Sequence, residues 1–185
     1  NIIKGVGVSP KYQGKGISPK IITSLLNKAI EFNIYNVFIY TTPNSESMFL
    51  ELGFKKIAEA LPYTVLLEWG GYLDRHISKL KELSKDKPSN VSSVVINANP
   101  FTLGHRYLIE KAALESELLY VIVVEEDKSL FPFKTRFKLV KEGVKDINNI
   151  EIIPGGDYII SAATFPSYFT KEADLAIAQA SLDLD

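Results

Sequence analysis

The sequence predicts an α/β protein of two modules, a mixed α/β module followed by a module built on a parallel sheet. Apolar runs and amphipathic stretches alternate over residues 91–153, a pattern typical of parallel strands joined by helical crossovers. A charged stretch near Pro88 separates this region from a first half with a different pattern. Hydrophobic residues make up 46% of the 185 residues, which is enough for a buried core.

The first half is predicted to contain four strands and three helices. Its first helix shows apolar residues at helical spacing, with Pro19 near its start, and Gly53 ends its second helix. In chain order, the predicted strands are residues 1–9, 36–41, 54–59 and 63–69, and the predicted helices are residues 20–32, 44–53 and 72–87.

The second half is predicted to alternate regularly between strands and helices. The run at residues 118–125 is almost wholly apolar, as expected for a strand buried on both faces. The predicted strands are residues 91–96, 118–125 and 150–154, and the predicted helices are residues 103–115, 133–146 and 172–183. Parallel strands of this kind end at one shared edge of the sheet.

Composition narrows the classes of function. The formal net charge of −1 gives no reason to expect a nucleic acid or a membrane as partner. Cysteine is absent, so neither disulfides nor thiolate metal sites can form, and a reducing cytoplasm is the expected location. No apolar run approaches the roughly 20 residues of a membrane span. Because the chain begins at Asn1 and stops before a doubly wound sheet is complete, we expect it to be truncated at both ends.

A glycine-rich turn, Gln13–Ser18, lies between a predicted strand and a predicted helix. Two glycines allow successive backbone N–H groups to point into one concavity, and the helix N-terminus adds positive potential. Lys11 and Lys15 add charge beside the turn. These features suit a pyrophosphate, although a turn that needs glycine only for its dihedral angles would show the same pattern.

The surrounding stretch GVGVSPKYQGKGISPKIITSLLNKAIE resembles the acetyl-CoA-binding core of the GNAT acetyltransferases. Their signature is Gln or Arg, two residues, Gly, one residue, and then Gly or Ala, so Ser18 departs from it at the last position. The stretch TTPNSESMFLELGFKKIAE resembles the later half of that core through Asn44, Gly53 and Phe54. The resemblance implies that a CoA-like group binds at Gln13, Gly14, Lys15, Gly16, Ser18 and Asn44.

The second motif brings Thr102, Gly104 and His105 to the first turn of a predicted helix, directly after a predicted strand. That position is the carboxyl edge of a parallel sheet, where open α/β sheets bind ligands and helix N-termini attract anions. Thr102 and His105 could each donate a hydrogen bond to a phosphoryl oxygen as negative charge develops. The alternative is an exposed histidine at a helix start, with Thr102 as the N-cap.

The segment NANPFTLGHRYLIEKA resembles the HxGH nucleotidylyltransferase superfamily, with Thr102 in place of the first motif histidine. Within that superfamily it most resembles the citrate (pro-3S)-lyase ligases, which also carry a GNAT-like module before the nucleotidyl-transfer module. The resemblance implies a partial GNAT-like domain at residues 1–72, a helix and linker at residues 73–90, and a Rossmann-like nucleotidylyltransferase domain at residues 91–185 that is incomplete at its C-terminus.

The same resemblance implies an ATP-dependent ligase in which Thr102 and His105 hold the α-phosphate while a carboxylate attacks it. Acetate would become acetyl-adenylate with release of pyrophosphate. The thiol prosthetic group of the citrate lyase acyl-carrier subunit would then take the acetyl group and release AMP. ATP would hold Mg²⁺ mainly through its own phosphates. The alternatives are a nucleotidylyltransferase acting on a phosphopantetheine-like precursor and a non-catalytic module that holds a CoA arm.

Further residues are expected to complete the site. Ser161 and Thr164 are candidates for a small carboxylate pocket, and Asp157 is a candidate Mg²⁺ contact. For Lys134 and Arg136, the alternative is a helix start exposed to solvent. For Ser161 and Thr164, the alternative is that their hydroxyls only form hydrogen bonds to the loop backbone. The helix-start arginine that clamps phosphates in these enzymes has no counterpart in the stretch ISAAT. The residues expected to bind ATP are Asn97, Asn99, Pro100, Phe101, Gly104, Lys134 and Arg136.

Overall fold

The computed structural model describes residues 1–161, and this part of the chain forms two compact units that divide between Lys79 and Leu80. Each unit has its own sheet and its own hydrophobic core. The helix predicted at residues 172–183 lies outside the described residues. None of the helices within residues 1–161 is both long and apolar enough to cross a membrane.

The first unit is built on a four-stranded sheet. Its elements are β1 (Ile2–Ile3), α1 (Ile17–Glu31), β2 (Val37–Thr41), α2 (Glu46–Glu51), β3 (Lys55–Ala60), β4 (Thr64–Trp69) and the start of α3 (Tyr72–Leu83). The strands lie in the order β1-β2-β4-β3, with β1 parallel to β2 and the other neighbours antiparallel. Ile22 and Leu26 lie on one face of α1 and join the core over this sheet, as the helical spacing predicts.

Three elements that begin in the first unit differ from the sequence prediction by three or more residues. Helix α3 ends at Leu83, although the prediction extended it to residue 87. The strand predicted at residues 1–9 is reduced to β1, because Gly5 takes a left-handed φ of +68° that extended backbone does not have. Helix α1 begins at Ile17 rather than at Lys20, since Pro19 is tolerated in a first turn whose N–H groups have no intrahelical partner.

The second unit is built on three parallel strands joined by two helices. Its elements after α3 are β5 (Val91–Ile96), α4 (Leu103–Leu114), β6 (Leu118–Val123), α5 (Phe133–Gly143) and β7 (Ile150–Pro154). The strand order is β5-β6-β7 and both pairings are parallel, so the predicted parallel sheet is confirmed. Ile96 pairs with Val123, which pairs with Pro154, so the three strands end level at one carboxyl edge.

The core of the second unit joins both helices to the sheet. Ile109 and Ala113 from α4 and Val140 from α5 pack in one cluster with the strand residues Leu119 and Val121. All five side chains are at most 6% exposed. Because this packing fixes α4 and α5 to the same sheet, the first turn of each helix is held where its preceding strand ends.

Candidate functional site

The candidate site of the second unit lies at the carboxyl edge of the parallel sheet. β5 ends at Ile96, residues 97–101 form a loop, and α4 begins at Leu103. Ala98 takes a left-handed φ of +50° within this loop, and the Asn99–Pro100 peptide bond is cis. Helix α4 begins within one short loop of a strand end, with Thr102 as its N-cap and a reciprocal capping box between Thr102 and His105. A helix N-terminus in this place suits an anion.

His105 lies in the first turn of α4, where it is half-buried and held by Thr102. Its Nδ1 accepts a hydrogen bond from the backbone N–H of Thr102 at 3.1 Å and lies 2.8 Å from the Thr102 hydroxyl oxygen. Its ring stacks on Phe101, with 5.8 Å between the ring centroids. Nδ1 is thus directed at the protein, and Nε2 is the ring nitrogen left for a ligand.

Phe101 packs beneath the imidazole and against the end of α5. An added Cβ atom on Gly143 would lie 2.3 Å from a ring carbon of Phe101, so this close approach requires glycine. Phe101 was expected to bind ATP, and the structure shows it as packing that supports His105. Gly143 was not singled out from the sequence, because a glycine in the last turn of a helix ordinarily signals only the helix end.

Arg136 requires a correction, because the structure buries a side chain that was expected to bind the triphosphate. The residue is 0% exposed. Its guanidinium donates to the backbone carbonyls of Asn97, Val124, Glu126 and Phe131 and to the amide oxygen of Asn97, over distances of 2.7–3.1 Å. These acceptors belong to the segments that leave β5 and β6. Arg136 therefore joins the two loops that border the site, and its donors are directed at those loops.

Side-chain amides tie the same two loops together. The hydroxyl of Ser129 donates to the amide oxygen of Asn97 at 3.1 Å, and the N–H of Phe131 donates to the amide oxygen of Asn99 at 3.0 Å. Asn97 and Asn99 were expected to bind ATP. In the structure, their amide oxygens instead serve the scaffold of the site, a role that depends on a loop 30 or so residues away in sequence and that the motif alone does not reveal.

Five of the predicted site residues are exposed at this edge, namely Asn99, Pro100, Thr102, Gly104 and Lys134. Lys134 lies in the first turn of α5, whose start is capped by Asp127, since a carboxylate oxygen of Asp127 accepts the N–H of Phe133 at 2.6 Å. No ion pair joins Lys134 to another residue within the described part of the chain. Its ammonium group is therefore available to an anion at the same edge as His105.

Arg106, the neighbour of His105, anchors α4 to the chain that ends α5. Its guanidinium donates to both carboxylate oxygens of Asp146 and to the carbonyl of Gly143, and it pairs with Glu110 in the next turn of α4. The hydrogen bonds from Arg106 lower the pKa of Asp146 to about 2. The pair consequently stays ionised at neutral pH and holds the first turn of α4 in place.

The expected carboxylate pocket falls only partly within the described residues. Ser161 is 5% exposed, whereas Thr164 lies outside the described residues. A carboxylate oxygen of Glu125 accepts the N–H of Gly156 at 3.0 Å, which joins the end of β6 to the turn after β7. Within residues 1–161, no three histidine or carboxylate side chains are grouped so as to hold a metal ion.

The glycine turn of the first unit is shaped by two left-handed glycines and is exposed to solvent. Gly14 and Gly16 have φ angles of +71° and +67°, and an added Cβ atom would meet no atom within 4 Å at either position. Gln13 donates from its side chain to the Val8 carbonyl at 3.1 Å. No side chain caps the start of α1. The turn therefore leaves the N–H groups of the first turn of α1 uncovered by side chains.

The two lysines beside this turn, Lys11 and Lys15, both lie close to the ring of Tyr12. The ammonium groups of Lys11 and Lys15 lie 4.9 Å and 5.5 Å from the centroid of the Tyr12 ring. Ser18 is half-buried in the first turn of α1, and Asn44 is exposed in the turn between β2 and α2. Because β1 and β2 are parallel neighbours, the segments that carry these residues leave the same edge of the sheet.

Comparison with known proteins relates both units to described families. Residues 91–185 match the family described as the citrate lyase ligase C-terminal domain, and residues 2–54 match the acetyltransferase (GNAT) family. The chain is 41% identical over 172 residues to the citrate (pro-3S)-lyase ligase of Haemophilus influenzae and 40% identical over 173 residues to that of Klebsiella pneumoniae. These matches cover 93% of this chain and 51% and 50% of the two relatives.

A shorter match concerns a different enzyme. Over 57 residues the chain is 42% identical to the phosphopantetheine adenylyltransferase of Mycoplasma mycoides. The matched stretch covers 30% of this chain and 41% of that protein. The chain spans about half the length of the curated ligases it matches. The match of residues 2–54 confirms the resemblance to the GNAT family. The match of residues 91–185 and the 40–41% identity over 93% of the chain confirm the resemblance to the citrate lyase ligases. The chain belongs to the citrate lyase ligase family.

Proposed function

We propose that the full-length protein is a cytoplasmic, ATP-dependent ligase that activates acetate and transfers the acetyl group to the thiol prosthetic group of the citrate lyase acyl-carrier subunit. Family membership supports this choice of partner, since the relatives are named citrate (pro-3S)-lyase ligases. The observation that carries the chemical proposal is the position of His105, whose ring lies at the N-terminus of α4 with Nδ1 bonded to Thr102.

The first half-reaction joins acetate to the α-phosphate of ATP. An oxygen of acetate forms a bond to the α-phosphorus as the bond from that phosphorus to the bridging oxygen of the β-phosphate breaks. The products are acetyl-adenylate and pyrophosphate. Acetate is already ionised at neutral pH, so this step needs no general base. It needs in-line positioning and stabilisation of the charge on the phosphoryl oxygens.

In this proposal, His105 and the first turn of α4 stabilise that charge. Nε2–H of His105 donates to a non-bridging oxygen of the α-phosphate, and the N–H groups of the helix start add to it. Gly104 has no side chain and is exposed, so the nucleotide can approach the backbone closely. Lys134 supplies positive charge for the β- and γ-phosphates. ATP would bring Mg²⁺ on its own phosphates, and the ion would supply further positive charge beside the pyrophosphate.

The second half-reaction transfers the acetyl group to the carrier. The thiol sulfur loses its proton to solvent and forms a bond to the acetyl carbonyl carbon, and AMP leaves with the bridging oxygen. The product is a thioester on the carrier subunit. The turn Gln13–Ser18 would bind the diphosphate of the CoA-like arm through backbone N–H groups, a role that requires no chemistry in the first unit.

Phosphopantetheine adenylyl transfer is a second candidate function, favoured by the 57-residue match to such an enzyme. In that reaction the phosphate of phosphopantetheine, instead of acetate, would attack the α-phosphate of ATP. His105 would keep the same role, because the phosphoryl group and the leaving pyrophosphate are the same. The two candidates therefore differ in the acceptor and agree on the site.

The test is ATP–pyrophosphate exchange by the full-length protein with a panel of acceptors that includes acetate, citrate and phosphopantetheine. Exchange that depends on acetate supports the ligase, and acetylation of the purified carrier subunit would follow by mass spectrometry. Exchange that depends on phosphopantetheine supports the second candidate. A folded protein that catalyses exchange with none of these acceptors contradicts both.

A further inference from the structure

We propose that Thr102 is a positioning residue that acts through His105, by fixing the imidazole proton on Nε2. This inference deepens the proposed function and rests on it for its kinetic consequences. The sequence suggested a different task, in which the Thr102 hydroxyl donates directly to a phosphoryl oxygen. The hydrogen bonds around Nδ1 of His105 separate the two tasks.

The first step concerns the direction of the hydrogen bonds at Nδ1. The backbone N–H of Thr102 lies 3.1 Å from Nδ1, and a peptide N–H can only donate. Nδ1 must therefore accept, and a ring nitrogen that accepts carries no proton. A neutral imidazole has one N–H, so the proton of His105 resides on Nε2.

The second step concerns the hydroxyl. Its oxygen lies 2.8 Å from Nδ1. Since Nδ1 carries no proton, the hydroxyl must be the donor in this contact. A threonine hydroxyl has a single proton, and phosphoryl oxygens of ATP are acceptors. While Thr102 donates to His105, it therefore cannot donate to the α-phosphate.

The third step concerns the orientation of the ring. Phe101 stacks on the imidazole at 26° between ring planes, and Thr102 binds the Nδ1 edge from two atoms. Within residues 1–161 no hydrogen bond reaches Nε2. The ring is thus held with its only N–H on the nitrogen that no described residue occupies, which is the arrangement a preorganised donor to an anion needs.

Thr102→Val is the main test of the hydroxyl's contribution, because valine keeps the shape of threonine and loses the hydroxyl, while the backbone N–H remains and still keeps the proton on Nε2. Thr102→Ser is the matched control, because serine keeps the hydroxyl. In the full-length protein, Thr102→Val should lower kcat for acetate-dependent ATP–pyrophosphate exchange by about 3- to 10-fold, the effect of one hydrogen bond. The KM for ATP should stay unchanged, and Thr102→Ser should restore most of the rate.

Combination with His105→Ala distinguishes positioning from direct contact. If Thr102 acts only through the imidazole, the double variant should be no slower than His105→Ala alone. A hydroxyl that contacts the phosphate independently would make the double variant slower by the full effect of Thr102→Val. That outcome, with both proteins folded, would overturn the proposal.

Nuclear magnetic resonance of ¹⁵N-labelled histidines tests the proton position without any turnover. The His105 imidazole, assigned with a His105→Asn variant, should show the pattern of a proton on Nε2 and an unprotonated Nδ1. Thr102→Val should shift the Nδ1 resonance, whereas the resonances of His76 should not move. A proton on Nδ1 in the wild-type protein overturns the inference. Absence of exchange activity, together with the expected spectrum, would instead contradict the proposed function alone.

Discussion

The two strand-to-helix turns that carry the proposed sites, before α1 and before α4, differ in what holds them in shape. Before α1, left-handed glycines at Gly14 and Gly16 shape an exposed turn, and its local side-chain tie runs from Gln13 to a backbone carbonyl. Before α4, the loop is fixed by the buried guanidinium of Arg136 and by the amide oxygen of Asn97, which both bind the facing loop. The first turn is defined by backbone angles, and the second by side chains.

This difference matches what each proposed site has to do. Binding a pyrophosphate requires backbone N–H groups in a concave arrangement, which glycine angles alone can supply. Stabilising a transition state requires a donor held in one orientation, which side-chain packing and hydrogen bonds supply. The first turn should therefore be sensitive to an added Cβ atom. The second should be sensitive to removal of the side chains that hold His105.

The largest effect is expected from His105→Ala. Loss of one preorganised donor typically lowers the rate by ~10²–10³-fold, about 2.7–4 kcal/mol. The KM for ATP should change little, because the hydrogen bond strengthens as charge develops in the transition state. The measurement is acetate-dependent pyrophosphate release by the full-length protein, with thermal melts to verify folding. Leu114→Ala, at the exposed far end of α4, should leave the rate unchanged. If the folded His105→Ala protein turned over at the wild-type rate, His105 would have no role in the reaction and would be an ordinary residue at a helix start.

Arg136→Met should cost about 2–4 kcal/mol of unfolding free energy, since several buried carbonyls lose their donor and each unsatisfied group costs about 1–3 kcal/mol. Lys134→Met is the matched control, two residues earlier in α5 and exposed. It should change stability by less than about 0.5 kcal/mol and raise the KM for ATP. Denaturant unfolding and steady-state kinetics measure both. An Arg136→Met protein of wild-type stability with a raised KM would restore Arg136 as a phosphate ligand.

The contrast between Arg136 and the parallel sheet shows what can be predicted from this sequence. The strands β5, β6 and β7 follow from apolar runs of strand length separated by amphipathic helices, a local pattern. Arg136 lies in the first turn of a helix with a polar sequence, and that local pattern is also typical of a helix start exposed to solvent. Its burial depends on carbonyls from two loops that become neighbours only after folding. Motif position thus predicts where the candidate site lies, and tertiary contacts decide which residues hold its loops in place.

Gly143→Ala tests the packing that supports His105 without touching its ring. The new Cβ atom would lie 2.3 Å from Phe101, so that ring must move away from the end of α5. Overpacking of this kind typically costs about 1–3 kcal/mol. The kcat should also fall, because Phe101 stacks on His105. Calorimetric unfolding and pyrophosphate release measure the two effects. A destabilised variant with wild-type kcat would show that Phe101 does not position the imidazole.

Gly16→Ala tests the backbone-built turn. At φ +67°, the left-handed geometry costs an alanine roughly 1–2 kcal/mol of conformational energy, so the turn should change shape. The affinity for CoA and dephospho-CoA, measured by calorimetry, should fall by about 5- to 30-fold if that strain is relieved by distorting the site. Gly7→Ala is the control, because Gly7 has open space and no positive φ. Equal CoA affinity in both variants would remove the turn from the proposed site.

No loss of stability, and the most specific change in function, is expected from Gly104→Ala. Unlike Gly143, Gly104 has room for a Cβ atom, whose nearest neighbour would be the Thr102 hydroxyl oxygen at 3.6 Å. Gly104 also lies inside α4, where alanine is favoured over glycine by about 0.5–1 kcal/mol. The folded protein therefore has no need of glycine here, and the variant should be at least as stable as the wild type. If ATP approaches the helix start closely, the methyl group will occupy space that the phosphates use, and the KM for ATP should rise. Thermal melts and ATP titrations measure the two effects on the same protein. A stable Gly104→Ala variant with unchanged KM would mean that the nucleotide does not pass this point, and the proposed path of the triphosphate would have to be abandoned.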